Sequence, residues 1–324
     1  MRYIYPCIEQ LDLASRFLEK NQIVYDRFAL ILIDNIVELI LHNWCENIIS
    51  IDNCYMRVRE PKYSAKKRKE ILGRDFENKI KFCKELKKVN LDEQNFVIIC
   101  HKYRNEVYHI GIKYEEILNA ISNKYHQFAC TLFRRLEPLI YSYGSNDKKT
   151  DVIVKHLGND ISIFNSSKIL ERASDSLNLD RPNLKISMNT ILHEHAVDTV
   201  VKISNWFDNV VRDNPSRMKE KEMLYHLQVV DFIQKEDARK FEIEQTGNCK
   251  LNHFDVYKWL MENWTPRFRK NPVSKWLKRA ENLKNEKNDY VCMYKYNTLI
   301  NDMSNFEYIV GEALSQIENY YDVG

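Results

Sequence analysis

Glycine and proline are scarce, seven of each in 324 residues. A turn-dense β-sandwich, a collagen-like repeat and a low-complexity chain are thereby excluded. The eight cysteines contain no Cys-x-x-Cys pair and no framework spacing, so neither a disulfide scaffold nor a zinc ribbon is expected. Cys100, directly after Phe96-Val97-Ile98-Ile99, reads as a small buried hydrophobe in a reduced compartment. Long apolar runs are also missing. The greasiest stretch, Phe28 to Leu41, is interrupted by Asp34, Asn35 and Glu38, and the opening Met1-Arg2-Tyr3-Ile4-Tyr5-Pro6 lacks the apolar core of a signal peptide. The expectation is a cytoplasmic protein with no membrane partner. No Gly-rich phosphate loop, Gly-x-Ser-x-Gly elbow or dinucleotide fingerprint occurs. His193-Glu194-His195 sets its histidines at i and i+2, on different helix faces, so no metal is expected there, and no cofactor is expected anywhere.

What the chain does contain is helix-forming: 44% hydrophobic and 29% charged residues, in apolar patterns of helical period. The fold class expected is all-α. Residues 8 to 50 read as helix, Ser64 to Val89 as a basic helix, about Glu93 to Gly111 as a helix capped by Asn90-Leu91-Asp92, and Tyr114 to about Tyr141 as another. Gly144-Ser145-Asn146-Asp147 suggests a boundary. Residues 1–145 would then form an antiparallel helical bundle and residues 146–324 a second, mainly helical domain that binds substrate or a partner. In that second part helices are expected over Ile186 to Val211, Ser216 to Gln245, Phe254 to Asn263, Val273 to Lys287 and Tyr290 to Tyr321, while residues 151–185 carry no clear pattern.

The net charge of +3 is unevenly spread, because residues Lys62 to Lys88 hold 11 basic and 4 acidic side chains. Lys66, Lys67, Arg68 and Lys69 form its densest part, and such a face attracts a polyanion such as RNA or simply meets solvent. Arg267, Arg269 and Lys270 alternate with aromatics in Trp264-Thr265-Pro266-Arg267-Phe268-Arg269-Lys270, a second candidate RNA contact. Core aromatics beside solvated bases would read the same.

The segment richest in chemistry runs from Phe96 to Gly111. At 100° per residue, positions 96, 99, 100, 103, 107 and 110 fall within about 60° of one line and form the core face. His101, Arg104, Asn105, Tyr108 and His109 make a compact stripe opposite it. A guanidinium holds phosphate oxygens and offsets charge in a pentacoordinate transition state. Imidazole titrates near neutrality and can take a proton from a ribose 2′-hydroxyl or give one to the leaving 5′-oxygen. An amide can orient either. Together these groups suit phosphodiester cleavage without a metal ion. On the earlier helix Asp34, Glu38 and His42 recur at i, i+4 and i+8 as one polar stripe, from which Asp34 and Glu38 can orient Arg104 or His109 or simply form a solvated face, while His42 reads as structural.

Arg104-Asn105-x-x-x-His109 resembles the Arg-x(4 to 6)-His motif of the HEPN superfamily, including its polar residue after the arginine, and is the only such pair in the chain. The upstream Arg27-Phe28-Ala29-Leu30-Ile31-Leu32-Ile33-Asp34-Asn35-Ile36-Val37-Glu38-Leu39-Ile40 is similar to the first long helix of those domains. The resemblance covers about residues 10–145. It implies a homodimeric, metal-independent endoribonuclease that leaves a 2′,3′-cyclic phosphate and a 5′-hydroxyl, in a bacterial toxin or antiphage defence setting, with an inhibitory or activating protein partner. Arg104, Asn105 and His109 would be catalytic, and His101, Tyr108, Asp34 and Glu38 would support them. Gly111 stands where toxins of the family paired with a nucleotidyltransferase often carry tyrosine. Two alternatives remain: a catalytically silent bundle used for binding or assembly, and an RNA-binding regulator that does not cleave.

Overall fold

The computed structural model describes residues 3–54, 60–109, 115–137, 149–158, 166–179, 186–234, 243–244, 257–261 and 264–322. Among the described residues all regular structure is helical and no strand occurs, so the chain is all-α. No helix among them is long and apolar enough to cross a membrane. The chain divides into two compact units, Met1–Ile191 with Asn288–Tyr294, and Leu192–Lys287 with Lys295–Gly324.

The first unit is organised around one long helix. Helix α1 (Ile4–Glu19) turns back into α2 (Ile23–Cys54), where a continuous helix from residue 8 to 50 was expected. The break lies at Lys20–Gln22. Asn21 takes a left-handed conformation (φ 46°), and its N–H donates to the Leu18 carbonyl, closing α1 without a glycine. Helix α2 packs against α1 and against α6 (Glu115–Arg135), with α4 (Phe76–Glu85) and α5 (Leu91–His109) also touching it. Its side chains Ala29, Leu30, Ile33, Ile36, Val37, Ile40 and Leu41 are fully buried, as expected of a helix apolar on most faces.

The expected basic helix over Ser64 to Val89 is in fact two. Helix α3 (Ala65–Leu72) starts at Ser64, whose hydroxyl accepts from Lys67 N–H at 3.2 Å. After Gly73-Arg74, Asp75 caps α4 by accepting from the N–H groups of Glu77 and Asn78 at 2.8 and 3.3 Å. Helix α5 begins with a reciprocal capping box: Glu93 N–H donates to Asn90 Oδ1, and Asn90 N–H donates to Glu93 Oε2, each at 2.9 Å. Arg135 then donates to both Glu93 carboxylate oxygens (3.0 and 2.9 Å) and to the Lys88 carbonyl (2.9 Å), pinning the end of α6 to the start of α5.

Packing carries the first unit past residue 145. Helices α7 (Asp151–Leu157) and α8 (Ser166–Leu179), in the stretch without a clear sequence pattern, pack on α1, and α8 also packs on α6. A buried relay fastens them. His156 Nε2 lies 2.9 Å from Asp12 Oδ1 and its Nδ1 lies 2.8 Å from Ser176 Oγ, so α7 bridges α1 and α8. Asp12 also accepts from Lys155 at 2.9 Å and from Arg16. Burial alone would raise the Asp12 carboxyl pKa, but these donors hold it below the ordinary carboxylate range. The relay has the residue types of a serine-hydrolase triad, yet the His156 side chain is fully buried and the ring serves as a strut.

The second unit is built on α9 (Met188–Asp213), α10 (Glu220–Gln234), α11 (Val273–Leu283) and α12 (Asp289–Asp322), α9 and α12 contributing their residues from 192 and 295 onward. Its core holds an aromatic cluster of Phe207, Phe268, Trp276 and Phe306 with ring centroids 5.4–5.5 Å apart. Phe268 of the basic–aromatic stretch is therefore a packing residue, as is Trp276, and Arg267 lies over the Phe268 ring while pairing with Asp302 at 3.4 Å.

Candidate functional site

The core face expected for α5 is buried at each of its positions from 96 to 107, and position 110 lies outside the described residues. Phe96, Ile99, Cys100, Tyr103 and Val107 are all at most 5% exposed, whereas His101, Arg104 and Asn105 are half-buried and Tyr108 is 65% exposed. This rotation turns the polar stripe toward the edge where α5 meets α2.

At that edge lies the carboxylate of Asp34, wholly buried on α2. His101 Nδ1 approaches its two oxygens at 2.9 and 3.2 Å. Arg104 Nε stands 3.5 Å from Oδ2. From α6, Tyr125 donates its hydroxyl to Oδ1 at 2.9 Å. Burial first and the Asp34 charge second push the Tyr125 phenol and the Cys100 thiol well above their usual ranges, so both remain protonated beside the carboxylate. A buried carboxylate is tolerated when hydrogen-bond donors and a cation surround it, and here α5 and α6 supply them.

The His101 and Arg104 side chains are also held from outside. The His101 ring stacks on Phe76, the first residue of α4, at 4.1 Å and 10° between planes. Arg104 donates through one terminal nitrogen to Asn105 Oδ1 at 2.8 Å, and its guanidinium carbon lies 5.7 Å from the centre of the Tyr108 ring. With Nδ1 directed at Asp34, the imidazole presents Nε2 on its other edge, the arrangement in which a carboxylate fixes the tautomer and orientation of a general base. The His101 and Arg104 side chains keep 21% and 28% of their surface exposed.

Of the expected site residues, Asp34, His101, Arg104 and Asn105 come together, with Tyr108 flanking Arg104. Glu38, half-buried one turn beyond Asp34, is near enough for its charge to act on Tyr125. His109 closes α5, and its side chain lies outside the described residues, as does Gly111. Two participants were missed. Phe76 follows the cap signal at Asp75 and had a local clue, whereas Tyr125 lies on the apolar face of α6 and had none.

The basic groups divide similarly. Arg68 is committed to the buried Asp52 at 3.1 Å, and Lys67 pairs with Glu85 at 2.8 Å. Asp52 also accepts from the Lys62 and Tyr63 N–H groups, so Arg68 helps fix the connection entering α3. Lys66 and Lys69 are exposed, as are Arg269 and Lys270. His193 and His195 have separate partners, the Ala280 carbonyl at 3.1 Å and the Tyr296 hydroxyl at 2.9 Å, and among the described residues no group of three His, Cys, Asp or Glu side chains is placed to hold a metal ion. No protein-family model matches the chain, and neither a curated protein nor a solved structure matches it.

Proposed function

We propose that the chain is a HEPN-like, metal-independent endoribonuclease whose α2–α5 edge cleaves RNA by attack of a ribose 2′-hydroxyl. The observation that carries this reading is the shared Asp34 carboxylate, which orients His101 at 2.9 Å and stands 3.5 Å from the Arg104 guanidinium on one half-buried helix edge. Arg104 neutralises the phosphorane, Asn105 fixes the direction of its guanidinium, and His109 at the helix end serves as general acid or base. His101, oriented by Asp34, is the second proton-transfer group. Its ring and the Arg104 fork lie one helical turn apart, as suits two groups acting on one phosphate. The resemblance adds a homodimer in which a second copy completes the cleft, and a toxin or antiphage defence setting.

The experiment is an RNA cleavage assay in excess chelator, comparing wild type with Arg104→Ala, His109→Ala and His101→Ala, the fold of each checked by circular dichroism. The expected result is cleavage by the wild type, leaving a 2′,3′-cyclic phosphate, and a loss of roughly 10²–10³-fold in each variant. A second reading, a silent binding or assembly module, is favoured by the internal engagement of Arg104 with Asp34 and Asn105. It predicts no cleavage by the wild type and a change in oligomeric state in the Arg104 variant.

A further inference from the structure

We propose that the second unit holds a nucleotide in a pocket between the first turns of α10 and the stretch from Trp264 to Asn271. The inference is independent of the Arg104 site. The pocket encloses about 630 Å³, within the size of small-ligand sites. Its walls are of two kinds. Trp264, Pro266, Tyr225 and Leu224 supply a flat, apolar side, and Lys221, Arg269 and Lys270 stand around it.

The apolar side is rigidly built. Tyr225 donates its hydroxyl to the carbonyls of Trp264 and Leu260 at 2.6 and 3.1 Å, and Trp264 stacks on Phe232 at 4.7 Å and 20°. Gln228, 5% exposed on α10, clasps the backbone of Phe268 from both sides: its amide donates to the Phe268 carbonyl at 3.0 Å and its oxygen accepts from the Phe268 N–H at 2.8 Å. The segment carrying Arg269 and Lys270 is thereby fixed on α10 before any ligand arrives.

The charges are left over by the fold. Lys221, Arg269 and Lys270 are exposed, and none forms an ion pair with a carboxylate of the described residues, unlike the neighbouring Arg267, which is taken up by Asp302. Among the described lining residues the one acid is Glu220, which accepts from the Asn271 amide at 2.8 Å. The N-terminal end of α10 lines the same space and adds a partial positive charge. Three cations and a helix N-terminus beside an aromatic wall match a ligand that is flat and apolar at one end and multiply anionic at the other. That is the chemistry of a base joined to phosphate, presented either as a free nucleotide or as one unit of a single strand.

Titration calorimetry on the full chain tests it with ATP, GTP and AMP, a single-stranded hexaribonucleotide, adenosine, and pyrophosphate alone. Saturable binding is expected for the nucleotides, with adenosine and pyrophosphate each roughly tenfold weaker or worse. The triple variant Lys221→Ala, Arg269→Ala, Lys270→Ala alters only exposed side chains and should keep the wild-type melting temperature while binding roughly 100-fold more weakly. Tight binding of the hexaribonucleotide with weak binding of mononucleotides identifies the source as a strand, and the reverse identifies a free nucleotide; both support the pocket. Absence of binding by nucleotide and strand alike, equal affinity for pyrophosphate alone, or undiminished binding by the triple variant overturns it.

Discussion

His101 and Asp34 are 67 positions apart in the chain, yet the imidazole Nδ1 and the carboxylate Oδ2 are 2.9 Å apart, with Tyr125 donating to the same carboxylate from a third helix. This contact couples the bundle's interior to its candidate chemistry. Asp34→Asn preserves shape but replaces a charged acceptor with a group that must also donate. The expected loss is about 2 kcal/mol in denaturant unfolding, with RNA cleavage reduced at least tenfold and KM little changed. Tyr125→Phe should cost about 1–2 kcal/mol of stability and leave cleavage within roughly threefold, separating the carboxylate's positioning role from the packing beneath it.

Arg104→Lys retains the charge but loses the planar fork that Asn105 orients. Cleavage should fall by roughly 100-fold, close to the alanine variant, and adding divalent metal ions should not restore it. Restoration by lysine would mean that charge alone is needed.

Asp12 is the acid-sensitive joint of the first unit. Its folded pKa lies below its unfolded value, so its contribution to stability is complete above pH ~4 and disappears as pH falls through the lower, folded pKa. His156→Ala removes the strut between α1 and α8 and should cost about 3 kcal/mol at neutral pH, measured by chemical denaturation. Asp12→Asn should flatten the loss of stability below pH ~4.

Asp26 behaves oppositely. Burial pushes its carboxyl up to about 6, with the hydrogen bond from Asn119 at 2.6 Å only partly offsetting this. The folded state therefore holds the proton more tightly than the unfolded chain, and stability declines as pH rises from about 4 to 6. Asp26→Asn should remove that decline and raise the melting temperature at pH 7, as read from thermal scans at several pH values.

Gly158 ends α7 with φ 76°, and a Cβ there would come within 2.9 Å of the Arg172 guanidinium. Gly158→Ala should cost about 1–2 kcal/mol, from the strained backbone and displacement of Arg172. Arg172→Ala in the same background should recover the part due to crowding, as a double-mutant cycle would measure.

Where a signal was local, the sequence was readable. Asn90 and Glu93 spell out the capping box of α5, and the 3.6-residue period of Phe96, Ile99, Cys100, Tyr103 and Val107 identified its buried face. The turn at Asn21 escaped because the left-handed residue is asparagine, without the glycine that usually ends a helix. Gly73 and Asp75 did mark the break between α3 and α4, but the continuous basic composition masked it. Helix α7 is too short to show a period, and His156 fixes it by meeting Asp12 and Ser176 across three segments, whereas α8 buries Ile169, Leu170, Ala173 and Leu177 at helical spacing. The polar stripe containing Asp34 was legible on α2. That it faces His101 and Tyr125 was not, because hydrogen bonds between distant helices leave no trace in either helix's own spacing. The same holds for Arg68, whose tie to Asp52 separates it from the chemically identical charges of a solvated face.

Helix α2 carries the hydrophobic interior of the first unit and the Asp34 carboxylate on one continuous backbone. A rotation or slide of that helix cannot relieve a packing defect without dragging the carboxylate away from its histidine. Substitutions at Ile33 or Val37 should therefore impair the α2–α5 edge before they unfold the bundle, making this edge a local gauge of how well the interior is seated.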